Sequence, residues 1–140
     1  MIVIFITYFY TLKSGNIMRA LIVDDNDQIL DALSFMMESN SVDSTIAHNG
    51  RDALDLIYNG TNDPESAFDI IFLDLAMPEM SGFQVIEELY TKGLLKGLKV
   101  VVITALELAP EDEKDILEKG VTSILKKPFL IEDIEKLLLS

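Results

Sequence analysis

The stretch IIFLDLAMPEMSG, residues 70–82, sets four apolar residues directly before one carboxylate, Asp74, with a proline four positions further on. Taking a carboxylate out of water is expensive, so an aspartate at the tip of the most apolar segment needs a reason. Unbroken apolar character over DIIFLD, bounded by polar residues, predicts a strand covered on both faces, as in the centre of a parallel sheet.

Outward from it the same grammar recurs. KVVVIT (99–104) reads as a second two-faced strand, and RALIV (19–23), VDSTIA (42–47) and SILK (123–126) read as shorter ones. Between them, Ile29, Leu30, Leu33, Met36 and Met37 recur at helical spacing and predict an amphipathic helix over 26–38. Ala53, Leu54, Ile57 and Tyr58 line the next helix, which Gly60 is expected to close, with a polar loop over 61–67. Residues 82–91 read as a helix with Phe83, Ile86 and Tyr90 on one face and Val85 and Leu89 beside them. Pro110 and the acidic Glu111, Asp112 and Glu113 open a helix over 110–119, in keeping with the helix dipole. Ile131, Ile134 and Leu138 mark a last helix. Five strands alternating with five helices through short connections predict one α/β domain, a doubly wound parallel sheet with helices on both faces.

Composition narrows the chemistry. The 140 residues are 49% hydrophobic, contain neither Trp nor Cys, and carry a net charge of −13. Without cysteine there is no disulfide, thiol nucleophile or thiolate metal site, which suits a reducing compartment. So negative a surface repels phosphate backbones and anionic lipid, which argues against direct nucleic-acid binding, and it attracts basic partners and divalent cations. Residues 1–17 form an apolar extension of unclear status ahead of a domain over 18–140. The extension is too short for a stable membrane span, and it reads either as a membrane-touching or partner-docking strand or as a non-native start, with Met18 as the true one.

The conspicuous polar residues all fall at strand ends. Asp24 and Asp25 follow the first strand, Asp74 the third, Thr104 ends the fourth and Lys127 follows the fifth, which gathers them at one sheet edge, where ligands of such folds bind. Three carboxylates with no His or Cys nearby suit Mg²⁺ or Mn²⁺ rather than zinc. Two carboxylates about 5 Å apart repel by roughly 3 kcal/mol at an effective dielectric near 20, which a divalent cation and the Lys127 ammonium can offset. The glycine-rich phosphate loops of nucleotide-binding folds do not occur. His48, the only histidine, falls in an HNG turn and is expected at the surface.

LIVDDNDQIL, IIFLDLAMPEMSG, VVVITA and ILKKPF together resemble the signature segments of response regulator receiver domains of two-component signalling, over residues 18 to about 139. The resemblance implies a flavodoxin-like sheet of order 2-1-3-4-5 and a cytoplasmic phosphoacceptor. Asp74 would take a phosphoryl group from a histidine kinase or histidine phosphotransfer protein. Asp24 and Asp25 would hold Mg²⁺ with Asp74 and the main-chain carbonyl of Ala76. Thr104 would reach the phosphoryl oxygens, Lys127 would pair with Asp74 or its phosphate, and Pro128 matches a proline usually preceded by a cis peptide bond. Gly82 would let the next helix begin close by. The signal would pass to a downstream protein target or a fused output domain, and a homodimer remains open. The last helix is about one turn short for the family, which fits either a free-standing regulator or a piece of a longer protein.

Departures from the pattern matter. Ile124 stands where the family usually has an aromatic switch residue, so the usual coupled swing with Thr104 is not available. Ala76 and Leu106 replace polar residues that often orient the attacking water in relatives, which predicts slow self-dephosphorylation. Two rival readings are a receiver-like interaction or dimerisation module that works without phosphorylation, and a phosphohydrolase with an aspartyl nucleophile. The hydrolase reading lacks its second acid, because Ala76 occupies that position.

Overall fold

A computed structural model describes residues 17–140; the expectations for residues 1–16 lie outside the described residues. The strands are β1 (Arg19–Val23), β2 (Asp43–Ala47), β3 (Ile70–Leu73), β4 (Lys99–Thr104) and β5 (Ser123–Lys126). The helices are α1 (Asp27–Ser39), α2 (Gly50–Asn62), α3 (Gly82–Thr91), α4 (Pro110–Lys119) and α5 (Ile131–Leu139). All strand pairings are parallel, in the order β2-β1-β3-β4-β5.

Alternation along the central strands builds two cores. Leu21, Val23, Ile71, Leu73, Val100 and Val102 point to the side covered by α2, α3 and α4. Ala20, Ile22, Ile70, Phe72, Val101 and Ile103 point to the side covered by α1 and α5. Both faces of β3 are therefore buried, as an uninterrupted apolar run requires.

Local chemistry starts each helix. The Asn26 side chain accepts from the N–H groups of Gln28 and Ile29 at the head of α1, and Asn49 accepts from Asp52 on α2. Ser81 and Gln84 form a reciprocal capping box on α3. Gly120 ends α4 in the left-handed region at φ 119°.

Two expectations are corrected. Gly60 does not close α2, which continues to Asn62 and leads into a short 3₁₀ turn, Pro64–Ser66, where a polar loop was expected. A Cβ on Gly60 would lie 3.0 Å from the Ala67 Cα, so the glycine serves the close return of the chain. On α3 the stripe facing the sheet is Val85, Ile86 and Leu89, while Phe83 and Tyr90 are exposed. His48 is exposed, as expected, 3.6 Å from Asp27. Among the described residues, no helix is long and apolar enough to cross a membrane.

Candidate phosphoacceptor site

Asp24, Asp74 and Lys127 each sit one step beyond a strand, Asp25 sits two steps beyond one, and Thr104 is the last residue of one. The ladder continues through them: Asp24 N–H donates to the Ala47 carbonyl at 3.2 Å, Asp74 N–H to Val23 at 3.0 Å and Lys127 N–H to Thr104 at 2.8 Å. Their backbones are thus fixed by the neighbouring strand, which is how a flexible carboxylate or ammonium is held in one place.

Carboxylate oxygens of Asp24, Asp25 and Asp74 all lie within 4.8 Å of one another. Asp24 and Asp74 are buried and Asp25 is exposed, so the cluster opens to solvent on the Asp25 side. Lys127 Nζ lies 2.7 Å from Asp24 Oδ2 and 3.7 Å from Asp74 Oδ1. The ammonium therefore approaches Asp74 as expected, but its nearer partner is Asp24. Asn26 N–H donates to Asp24 Oδ1 at 2.9 Å, leaving that carboxylate gripped from two sides. Sequence reasoning had not assigned Asn26, although an Asn directly before a helical run signals an N-cap whose backbone must turn beside the preceding aspartates.

The negative charge is only partly offset. Burial, and then the neighbouring charge of Asp24, push the Asp74 carboxyl above its ordinary value; Lys127 and a hydrogen bond from Ala76 N–H pull the other way, and Asp25 adds a small push upward. Ala76 meets Asp74 through that N–H, at 3.3 Å from Oδ1. Thr104 is wholly buried at the adjacent strand end, and its Oγ accepts from Leu106 N–H at 3.0 Å.

Gly82 supports the whole arrangement. Its N–H donates to the Leu75 carbonyl at 3.0 Å, and a Cβ there would lie 2.2 Å from the Asp74 carbonyl oxygen. No side chain fits, so the head of α3 can press against the backbone of Asp74 only with glycine. The Lys127–Pro128 peptide bond is cis. Ile124 is half-buried and packs against the core under α2, α3 and α4.

A donor set of three carboxylates, oxygen only, carrying charge that a single ammonium does not neutralise, fits a hard divalent cation. The same cluster presents the Asp74 carboxylate just beyond the end of β3, with the Lys127 ammonium 3.7 Å away.

Comparison with known proteins agrees with this geometry. The family model described as response regulator receiver domain matches residues 20–139. The response regulator MprA of Mycobacterium avium (strain 104) is 32% identical over 117 residues, 84% of this chain and 47% of that protein. The hybrid signal transduction histidine kinase L of Dictyostelium discoideum is 31% identical over 123 residues, 86% of this chain and 7% of that protein. The chain thus spans half or less of the length of these relatives. Among solved structures, the CheX-CheY-BeF3-Mg²⁺ complex from Borrelia burgdorferi is similar at a TM-score of 0.79 and 25% identity, with 91% of each chain covered.

Proposed function

The chain belongs to the response regulator receiver domain family, and on that premise we propose that Asp74 is the residue that takes the phosphoryl group. Receiver domains are regulatory phosphoacceptors that signal by a conformational shift, not enzymes in the ordinary sense. The observation that carries the assignment is the convergence of Asp24, Asp25 and Lys127 on Asp74, at the buried end of the central strand.

In the proposed reaction an Asp74 carboxylate oxygen attacks phosphorus, the P–N bond of a phosphohistidine on the donor breaks, and the imidazole leaves with the electron pair. Asp24, Asp25 and Asp74, with the Ala76 carbonyl, would hold Mg²⁺, with Mn²⁺ as a substitute. When bound, the ion supplies positive charge for the phosphoryl oxygens. Lys127 already lies within 4 Å of Asp74 and offers its ammonium to the same oxygens. Thr104 offers its hydroxyl from the neighbouring strand end. Such transfers need positioning and charge neutralisation more than covalent help, and rigid strand ends provide the first.

The donor is a histidine kinase or histidine phosphotransfer protein. The receiver of the signal is a downstream protein or an output domain fused to this one, a homodimer included, and the setting is cytoplasmic. Similarity to a response regulator and to part of a hybrid kinase supports that class of partner.

Incubation with acetyl phosphate and Mg²⁺, read by intact mass, should add one phosphoryl group to the native chain and none to Asp74→Ala. Mg²⁺ binding with no mass gain in the native chain would instead favour a module that works without phosphorylation, the reading Ile124 supports. A second measurement follows the acyl phosphate after donor removal. The side chains of Ala76 and Leu106 carry no polar atom to orient water, so the expected lifetime is minutes or longer, and decay within seconds would refute that expectation.

A further inference from the structure

We propose that Met80 is an oxidation site, at which a hydroperoxide converts the thioether to the sulfoxide and thereby slows phosphoryl transfer to Asp74. The effect on transfer rests on the reading of Asp74 given above.

Among the described residues, Met18, Met37 and Met77 are buried, while Met36 and Met80 are half-buried. Met80 lines an open groove of about 370 Å³ along α3, together with Gln84, Glu88 and Thr91, so one side of it meets water. Its other side packs on the core under α2, α3 and α4. There its Cγ lies so close to the head of α2 that a Cβ on Gly50 would come within 2.8 Å of it. Met36 is the contrast, because it packs on the opposite core, away from the segment that follows Asp74.

The backbone around Met80 depends on that packing. Met80 N–H donates to the Pro78 carbonyl at 2.8 Å and closes a turn whose middle residue, Glu79, has φ 67°. A γ-turn of this hand is strained for a residue with a side chain, and it persists only where its surroundings hold it. Buried Met77 anchors one end of the turn and Met80 the other. The turn lies between Ala76, whose N–H donates to Asp74 Oδ1, and Gly82, which abuts the Asp74 carbonyl.

In the oxidation a sulfur lone pair attacks the outer oxygen of the hydroperoxide. An S–O bond forms and the O–O bond breaks. The departing oxygen takes the proton of the transferred one and leaves as water or an alcohol. Sulfur gives up an electron pair and the peroxide is reduced by it. The product is polar. Held against Gly50 its oxygen would be buried without a partner, so it turns out into the groove and the turn loses its second anchor. Phosphoryl transfer depends on positioning, so a small displacement of Ala76 and Asp74 slows it.

The test treats the full 140-residue chain with hydrogen peroxide, maps oxidised methionines by peptide mass, and reads the initial rate of phosphoryl gain from acetyl phosphate and Mg²⁺. Met80 should gain oxygen before Met37 and Met77. The rate should then fall about tenfold, within the roughly hundredfold that a misplacement of about 1 Å can cost. Met80→Leu keeps an apolar side chain of similar volume and should hold the native rate before and after peroxide. Met80→Gln, polar from the outset, should be slow without peroxide, and a methionine sulfoxide reductase should restore the oxidised native chain. Apart from any transfer, oxidation should lower the melting temperature of the native chain more than that of Met80→Leu. A Met80 left unoxidised when Met37 is oxidised, a native rate that survives Met80 oxidation, or an equal loss of rate in Met80→Leu overturns the proposal. A native chain that gains no phosphoryl group before peroxide overturns the Asp74 reading and the rate effect, and the peptide masses and melting shift still decide whether Met80 is an oxidation site.

Discussion

Asp74 has more reason to hold a proton than an ordinary aspartate, because burial and the charge of Asp24 outweigh the help from Lys127 and the Ala76 N–H. The consequence for stability has a definite sign. With a folded-state pKa above the unfolded one, the folded chain binds more protons in that window, so stability is full below the ordinary carboxylate range and falls as pH rises through the raised value. Asp74→Asn, in the absence of divalent cations, should therefore melt at a higher temperature than the native chain at pH 7. The difference should disappear below the ordinary carboxylate range, and equal melting temperatures at pH 7 would contradict it. The position of Asp74 was legible in the sequence because one carboxylate ended an apolar run. Lys127 was legible as a member of the site but not as a partner of Asp24, since the two residues lie 103 positions apart and only the packed sheet sets their separation.

Helix α3 shows where periodicity stops deciding. Phe83, Ile86 and Tyr90 make one helical stripe, and Val85, Ile86 and Leu89 make another; both have the right spacing. The second faces the sheet because Gly82 is pinned against the Asp74 carbonyl, which fixes the rotation of the helix about its axis. Leu89→Ala should consequently cost about 2–5 kcal/mol in urea unfolding, as a buried truncation does. Tyr90→Ala, half exposed beside Lys119, should cost less than about 1 kcal/mol. Comparable losses for the two would mean the wrong stripe has been placed inside. Gly60 teaches the same lesson: it was read as a helix stop from its lack of a side chain, whereas that lack accommodates Ala67 approaching from the chain ahead.

For the whole molecule, a net charge of −13 with three carboxylates converging at one sheet edge means that a bound divalent cation stabilises the folded state by mass action. Mg²⁺ at a hundredfold excess over its Kd should add about 2.7 kcal/mol to the unfolding free energy. Asp25→Asn, at an exposed position, should fold normally and lose most of that gain in a thermal melt; a retained gain would remove Asp25 from the cation site. The doubly wound architecture and the edge carrying the site were determined by the sequence alone. Apolar runs define buried strands, their spacing leaves room only for crossover helices, and polar residues at successive strand ends of a parallel sheet must share one edge. The strand order was expected from the resemblance to receiver domains, and the parallel pairings bear it out. What the tertiary structure decided was the rotation of α3, the continuation of α2 past Gly60, the closer pairing of Lys127 with Asp24 and the seat of Met80 against Gly50. Each of these depends on distances between segments far apart in the chain, and a pattern of residue types carries faces and periods but no such distances.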